Sequence, residues 1–339
     1  MNGEYSSYDY LRNMLDSCYR QNAFNGKSVE DHKQWIGAAR EKLKGLMGMH
    51  LMEKSKLMPK TEEIADCGYY LREKIVISTQ DSLKMPFYML TPKVRPNNKA
   101  IIAIHGHGSD GKEGLVGLEK PEYKEKVKRF NYLYAVYLVQ KGYTVFVPDL
   151  IGAGERSLGI YRTTQAECND INNACMSLGI SLQGLIVFDL LRLVDYICDY
   201  TELDEGIGAC GFSGGGQSAL FLAALDERIG YAIVSGFFHS YKDVLLYTNR
   251  CGCNFIPNLW KYFDMCDFAS MVCPRPLFIE TGIRDKLNGS RGIKGVEHQL
   301  SIAQQTYTLY GKQIEVSMQE GDHTWYGSCY KWLDTISRL

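Results

Sequence analysis

The stretch Gly206 to Leu225 reads GIGACGFSGGGQSALFLAAL and holds the residue best placed to attack a carbonyl. A short apolar run (Ile207, Ala209, Cys210) leads into Gly211-Phe212-Ser213-Gly214-Gly215, and a helix-period segment with Ala219, Leu220, Leu222, Ala223 and Leu225 follows at once. That order spells strand, sharp turn, helix. A serine at such a turn has its hydroxyl thrust out of the sheet edge, and small residues two places either side let the turn close. The backbone N–H of Gly214, at the helix start, then points where an oxyanion would form.

A serine hydroxyl is a poor nucleophile at neutral pH, so it needs a histidine base, and the base needs a carboxylate to fix its tautomer. Of the seven histidines, only His323 lies in the loop immediately after the last expected strand, in Glu320-Gly321-Asp322-His323-Thr324-Trp325. The order serine, acid, histidine asks for a carboxylate between the two, on a loop at the carboxyl end of a strand. Asp285, in Thr281-Gly282-Ile283-Arg284-Asp285, meets that demand. Glu280 is its nearest competitor, and Asp322 is adjacent to His323, where side chains diverge. A second oxyanion donor is expected from His105-Gly106-His107-Gly108, with the backbone N–H of His107 foremost.

The same loops raise a metal reading. His105 and His107 supply two ligands at most, and Cys251-Gly252-Cys253 is accompanied by no second Cys/His pair at zinc spacing. Neither metal nor cofactor is therefore expected. For the pocket wall the candidates are His239, Trp260 and Trp325. Asp149 and Arg156, in PDLIGAGER, are expected to brace the rim as an ion pair.

The elements that must position these residues alternate. Residues 74–78 and 86–90 read as antiparallel strands; then come strand 100–104, helix 132–140, strand 144–147, helix 182–200, the Ser213 unit, and strands 231–235, 276–280 and 313–317. Near-continuous apolar strands alternating with helices imply a mostly parallel sheet covered on both faces. The expectation is an α/β fold with eight strands and helices on both faces. Residues 1–68 are expected as a helical extension packed on the main domain, residues 69–339 as that domain, and residues 237–271 as a small insertion after strand six.

HGHG after strand three, PDLIGAGER after strand four, GFSGGG at the nucleophile, PRPLFIETGIRD after strand seven and GDH near the end resemble an α/β-hydrolase. The likeness is to the dienelactone-hydrolase and acetyl-xylan-esterase-like branch, over roughly residues 70–339. It implies Ser213 as nucleophile, Asp285 as acid, His323 as base, and backbone donors at Gly214 and near His107. The expected activity is serine-dependent hydrolysis of small acyl esters, acetylated carbohydrates among them. A serine peptidase of the prolyl-oligopeptidase type and a non-catalytic binding protein on the same fold are the alternatives.

A net charge of −1 offers no electrostatic footprint for nucleic acid or anionic lipid. No run of 18 apolar residues occurs, and the first residues lack the pattern of a secretory signal. Eleven cysteines at irregular spacings, several inside apolar runs, read as reduced thiols. The expectation is a cytoplasmic protein whose partner is a small-molecule ester, with no nucleic acid and no membrane, and with homo-oligomerisation left open.

Overall fold

A computed structural model describes residues 6–160, 164–244 and 250–336, so five residues of the insertion, 245–249, lie outside it. The strands are β1 (Lys60–Asp66), β2 (Tyr70–Gln80), β3 (Leu83–Pro92), β4 (Lys99–Ile104), β5 (Thr144–Pro148), β6 (Asp204–Phe212), β7 (Ile229–Ser235), β8 (Leu277–Gly282) and β9 (Glu315–Gln319). They form one sheet in the order β1-β2-β3-β5-β4-β6-β7-β8-β9. β1, β2, β3 and β5 pair antiparallel in succession, and every pair from β5-β4 onward is parallel.

Among the described residues the sheet thus has nine strands, not the eight expected, and the additional one is β1. Its sequence, KTEEIAD, has no alternation of apolar and polar residues, and its one large apolar side chain, Ile64, is 64% exposed. What makes it a strand is the backbone ladder to β2, aided by ion pairs from Glu63 to Arg72 and Glu62 to Lys74. Charges along an exposed edge also discourage further strand addition. β1 falls within residues 1–68, the stretch expected to be helical.

The helices are α1 (Ser7–Cys18), α2 (Val29–Leu46), α3 (Glu113–Val116), α4 (Lys124–Phe130), α5 (Tyr134–Gln140), α6 (Thr164–Ser177), α7 (Leu182–Tyr200), α8 (Gly214–Leu225), α9 (Tyr241–Val244), α10 (Leu259–Tyr262), α11 (Met265–Val272), α12 (Ile293–Leu309) and α13 (Cys329–Ile336). Strand side chains alternate between two cores because successive residues point to opposite faces. Ile102 and Ile104 of β4 pack in one core with α2, α7, α8 and α11, while Ile101 and Ala103 pack in the other with α5 and α13. α8 is buried from Gly215 to Leu225, so it is apolar all round rather than on one stripe.

The turn from β6 into α8 closes only because its glycines lack Cβ. A Cβ on Gly215 would lie 2.0 Å from the Ile104 carbonyl oxygen, and one on Gly211 would lie 2.3 Å from the Gly215 carbonyl carbon. Both obstacles are backbone, so nothing can rotate aside. Gly215→Ala is therefore expected to destabilise the protein by about 3 kcal/mol or more, the upper range for overpacking. Urea unfolding checks this; a midpoint within error of the parent would show that α8 can shift away from β4.

β4 is flanked by β5 on one side and β6 on the other, so the connections leaving β4 and β6 diverge to opposite sides. Such a reversal opens a crevice at the carboxyl ends of the strands. The two loops bordering it are 105–111 and the turn at Ser213.

Candidate active site

Ser213 occupies the turn between β6 and α8 with φ +58° and ψ −124°. Positive φ at a non-glycine residue in this region is strained by about 1–3 kcal/mol and persists only where the surroundings impose it. Here its N–H donates to the Ser235 carbonyl at 2.8 Å, and Gly106 passes so close that a Cβ there would sit 3.1 Å from Ser213 Cβ.

His323 follows β9, and its Nδ1 lies 2.6 Å from Asp285 Oδ2. The ring rests on Phe212, 4.5 Å between centroids, and on Phe130. Asp285 is 3% exposed, and its second oxygen accepts the Leu287 N–H at 2.8 Å, which fixes the carboxylate at the start of a short 3-10 turn. Glu280, the competing acid, is engaged elsewhere. Its oxygens accept from Ser235 Oγ (2.8 Å), Tyr326 N (2.9 Å) and Ser328 N (2.7 Å), tying the end of β8 to the loop that carries His323.

Ser213, Gly214, His107 and His323 line one cavity of ≈ 230 Å³ together with Phe130, Tyr132, Phe212, Phe237, Arg250, Cys251, Asn254 and Leu287. The Gly106 carbonyl accepts from Ser109 Oγ at 3.1 Å and from His105 Nδ1 at 3.0 Å. In a trans peptide the N–H of His107 points opposite to that carbonyl. Gly214 opens α8, so its N–H has no partner within the helix.

None of the three pocket candidates is among the residues that line this cavity. His239 is 1% exposed directly behind Phe237, and its buried ring nitrogens have no hydrogen-bond partner among the described residues. Trp260 lines a separate apolar groove between α1 and α10. Trp325 is buried in a stack on Tyr134 and donates to the Tyr330 hydroxyl. The aromatic wall comes instead from Phe130 at the end of α4, Tyr132 just after it, Phe212 and Phe237, and no motif in the sequence marks the first two. Asp149 and Arg156 do not pair with each other through their side chains. Asp149 binds Lys112 Nζ at 2.7 Å, and Arg156 pairs with Asp189 at 2.7 Å.

A cluster that sequence reading missed sits beside the cavity. His107 Nε2 lies 3.5 Å from Cys168 Sγ and 3.6 Å from Cys253 Sγ, and these atoms with Cys251 Sγ all fall within 4.8 Å of one another. The four residues come from the loop after β4, from α6, and from the insertion, so no single motif signals them.

Buried imidazoles make stability depend on pH. Burial pushes His105, His239 and His32 below their ordinary value; Arg250 and His323 nearby push His239 further. His105 is held neutral by accepting the Leu150 N–H on Nε2 and donating from Nδ1. Below about pH 6.5 the unfolded chain binds protons at these sites that the folded chain does not, so their stabilisation is complete above that value and is lost as pH falls through the folded pKa. The melting temperature should therefore drop between about pH 7 and pH 5, and His239→Leu should flatten the drop. A level wild-type profile would contradict the assignment.

The model of the Abhydrolase family matches residues 2–289, a span that includes Ser213 and Asp285 and stops short of His323. YtaP of Bacillus subtilis (strain 168), assigned as a hydrolase, is 26% identical over 274 residues, covering 77% of this chain and 85% of its own. A Bacteroides fragilis NCTC 9343 structure assigned as an acetyl xylan esterase superposes with a TM-score of 0.77 at 20% identity, over 93% of this chain and 83% of its own. A glucuronoyl esterase from Solibacter usitatus does so with a TM-score of 0.63 at 13% identity, over 92% and 93% respectively. At these identities the structural likenesses establish the fold.

Proposed function

The chain belongs to the α/β-hydrolase family, and from that premise we propose that it is a serine-dependent carboxylic ester hydrolase. The observation that carries the reading is the 2.6 Å contact between His323 Nδ1 and Asp285, in a cavity that also holds Ser213 at its strained turn. Asp285 keeps the His323 proton on Nδ1 and leaves Nε2 free to take the Ser213 proton. Ser213 Oγ attacks the ester carbonyl, and the N–H groups of Gly214 and His107 stabilise the oxyanion. Collapse expels the alcohol, which receives its proton from His323, and leaves an acyl-enzyme. Water, deprotonated by His323, then attacks the acyl carbon; the bond to Ser213 Oγ breaks as His323 returns the proton to that oxygen, and the acid leaves.

The cavity volume of ≈ 230 Å³ suits a small acyl group, and its aromatic wall suits the flat face of a sugar or aryl alcohol. Small acyl esters, with acetylated carbohydrates among them, are the proposed substrates; the acetyl xylan and glucuronoyl esterases of similar fold are consistent with that choice. Among the described residues no single helix is long and apolar enough to cross a membrane. We place the protein in the cytoplasm, in keeping with its free thiols.

A panel of p-nitrophenyl esters and sugar acetates tests the reading, with a fluorophosphonate probe for an activated serine as a substrate-independent check. Acetyl esters should be cleaved faster than long-chain esters, and the probe should label Ser213. No labelling by the probe, together with no turnover across the panel, would point to a binding protein on this fold.

A further inference from the structure

Four residues outside the proposed triad have the types, spacing and burial of a metal centre. Cys168, Cys251 and Cys253 are buried and His107 is half-buried, and their ligand atoms converge from three segments that are far apart in sequence. For tetrahedral zinc, with Zn–S about 2.3 Å and Zn–N about 2.0–2.1 Å, simple geometry puts nitrogen and sulfur ligands about 3.5–3.6 Å apart and sulfur pairs about 3.8 Å apart. The observed Nε2 to Sγ distances are 3.5 and 3.6 Å. We propose that His107 Nε2 and the thiolates of Cys168, Cys251 and Cys253 bind one zinc ion in a closed site beside the Ser213 cavity.

Supporting contacts surround the donors. Asn254 Nδ2 lies 3.6 Å from Cys253 Sγ and donates to the Cys251 carbonyl, and Gly252 N donates to Asn169 Oδ1 at 2.6 Å, fastening the cysteine loop to the helix that carries Cys168. Outer contacts of this kind orient ligands and tune their basicity. Thiolate donors select zinc over magnesium or calcium, and four protein ligands leave no position for substrate. The ion is structural and takes no part in bond cleavage.

Its effect on the cavity passes through His107, and this consequence rests on the ester hydrolase reading. A Cβ built on Gly214 would lie 3.2 Å from His107 Nδ1, so the ring edge opposite the sulfurs faces the nucleophile turn. Zinc on Nε2 keeps the proton on Nδ1 and clamps the loop whose N–H groups face the cavity. His107 is then a positioning residue as well as a ligand.

Metal content decides the matter without reference to activity. The full-length chain, expressed with zinc and purified without chelator, should carry about one zinc per chain by mass spectrometry of the metal. Cobalt(II) titrated into the metal-stripped protein should give the visible bands of a tetrahedral thiolate site. Cys168→Ser and Cys253→Ser should each lower the zinc at least tenfold, whereas Cys198→Ser, at an exposed thiol, should leave it unchanged. Ser213→Ala should keep its zinc, so loss of the hydrolase reading and loss of the metal reading are separable. A zinc-free wild-type protein that develops no cobalt bands overturns the proposal, as does an intact mass showing a disulfide among these cysteines. Both of these observations use the wild-type chain and stand even if the cysteine variants fail to fold.

Discussion

Ser213→Ala is expected to lower kcat for ester hydrolysis on the order of 10⁵–10⁶-fold while leaving the melting temperature within a degree or two of the parent. Among the described residues the hydroxyl makes no capping hydrogen bond to α8, so its removal leaves the start of the helix intact. A residual rate above water should survive, supplied by the backbone donors and by binding alone. Ser213→Gly separates function from stability more sharply. With φ +58° and ψ −124°, the position suits glycine, so this variant should be equally inactive yet more stable by roughly 1 kcal/mol. Ester turnover and thermal melts on the three proteins give both answers; near-parental turnover in Ser213→Ala would remove the serine mechanism.

The second large effect is expected at the acid. Asp285→Asn should reduce kcat on the order of 10⁴-fold, because an amide in that place can hold the opposite His323 tautomer, with the proton on Nε2. The 2.6 Å contact to Nδ1 and the Leu287 N–H together leave the side chain little room to turn. Glu280→Gln should cost far less activity, about tenfold or less, and more stability, about 1–3 kcal/mol, since a buried acceptor of two backbone N–H groups becomes a mixed donor and acceptor. A pH–rate profile adds the decisive readout: the limb belonging to the base should shift in Asp285→Asn and stay in place in Glu280→Gln. The reverse pattern would move the acid from Asp285 to Glu280.

Much of the fold could be read in the chain because its inner strands are apolar on both faces. Runs such as Ala100 to Ile104 and Thr144 to Val147 announce themselves without help from neighbours. β1 could not be read this way, since it contributes a backbone ladder and almost no buried side chain. Similarly, the partners of Asp149 and Arg156 lie 37 and 33 residues away, at Lys112 and Asp189, so the sequence offers the charges without their pairing. His323 and Asp285 were within reach of reasoning because each follows a recognisable strand. The cysteine and histidine cluster was not, because its donors are joined only by the packing of α6 and the insertion against the loop after β4. Indole side chains misled for a related reason: Trp325 and Trp260 carry enough apolar area to be claimed by a core or a groove wherever one lies near.

The beginning of the chain is fastened to its far end. Tyr19 and Arg20 bind Asp264 and Asp267, the latter pair at 2.7 Å, and His32 bridges the Ser270 carbonyl and the Tyr310 hydroxyl at 2.9 and 2.8 Å. These contacts span 238 to 278 residues. On a ribosome adding about 5–20 residues per second, the first helices must therefore wait on the order of 10–60 s before their partners emerge. During that interval Trp35, Ile36, Ala39 and Leu43, which later face the core, have nothing of their own to cover them. Residues 19–32 can therefore settle into these contacts only after residues 264–310 have been made.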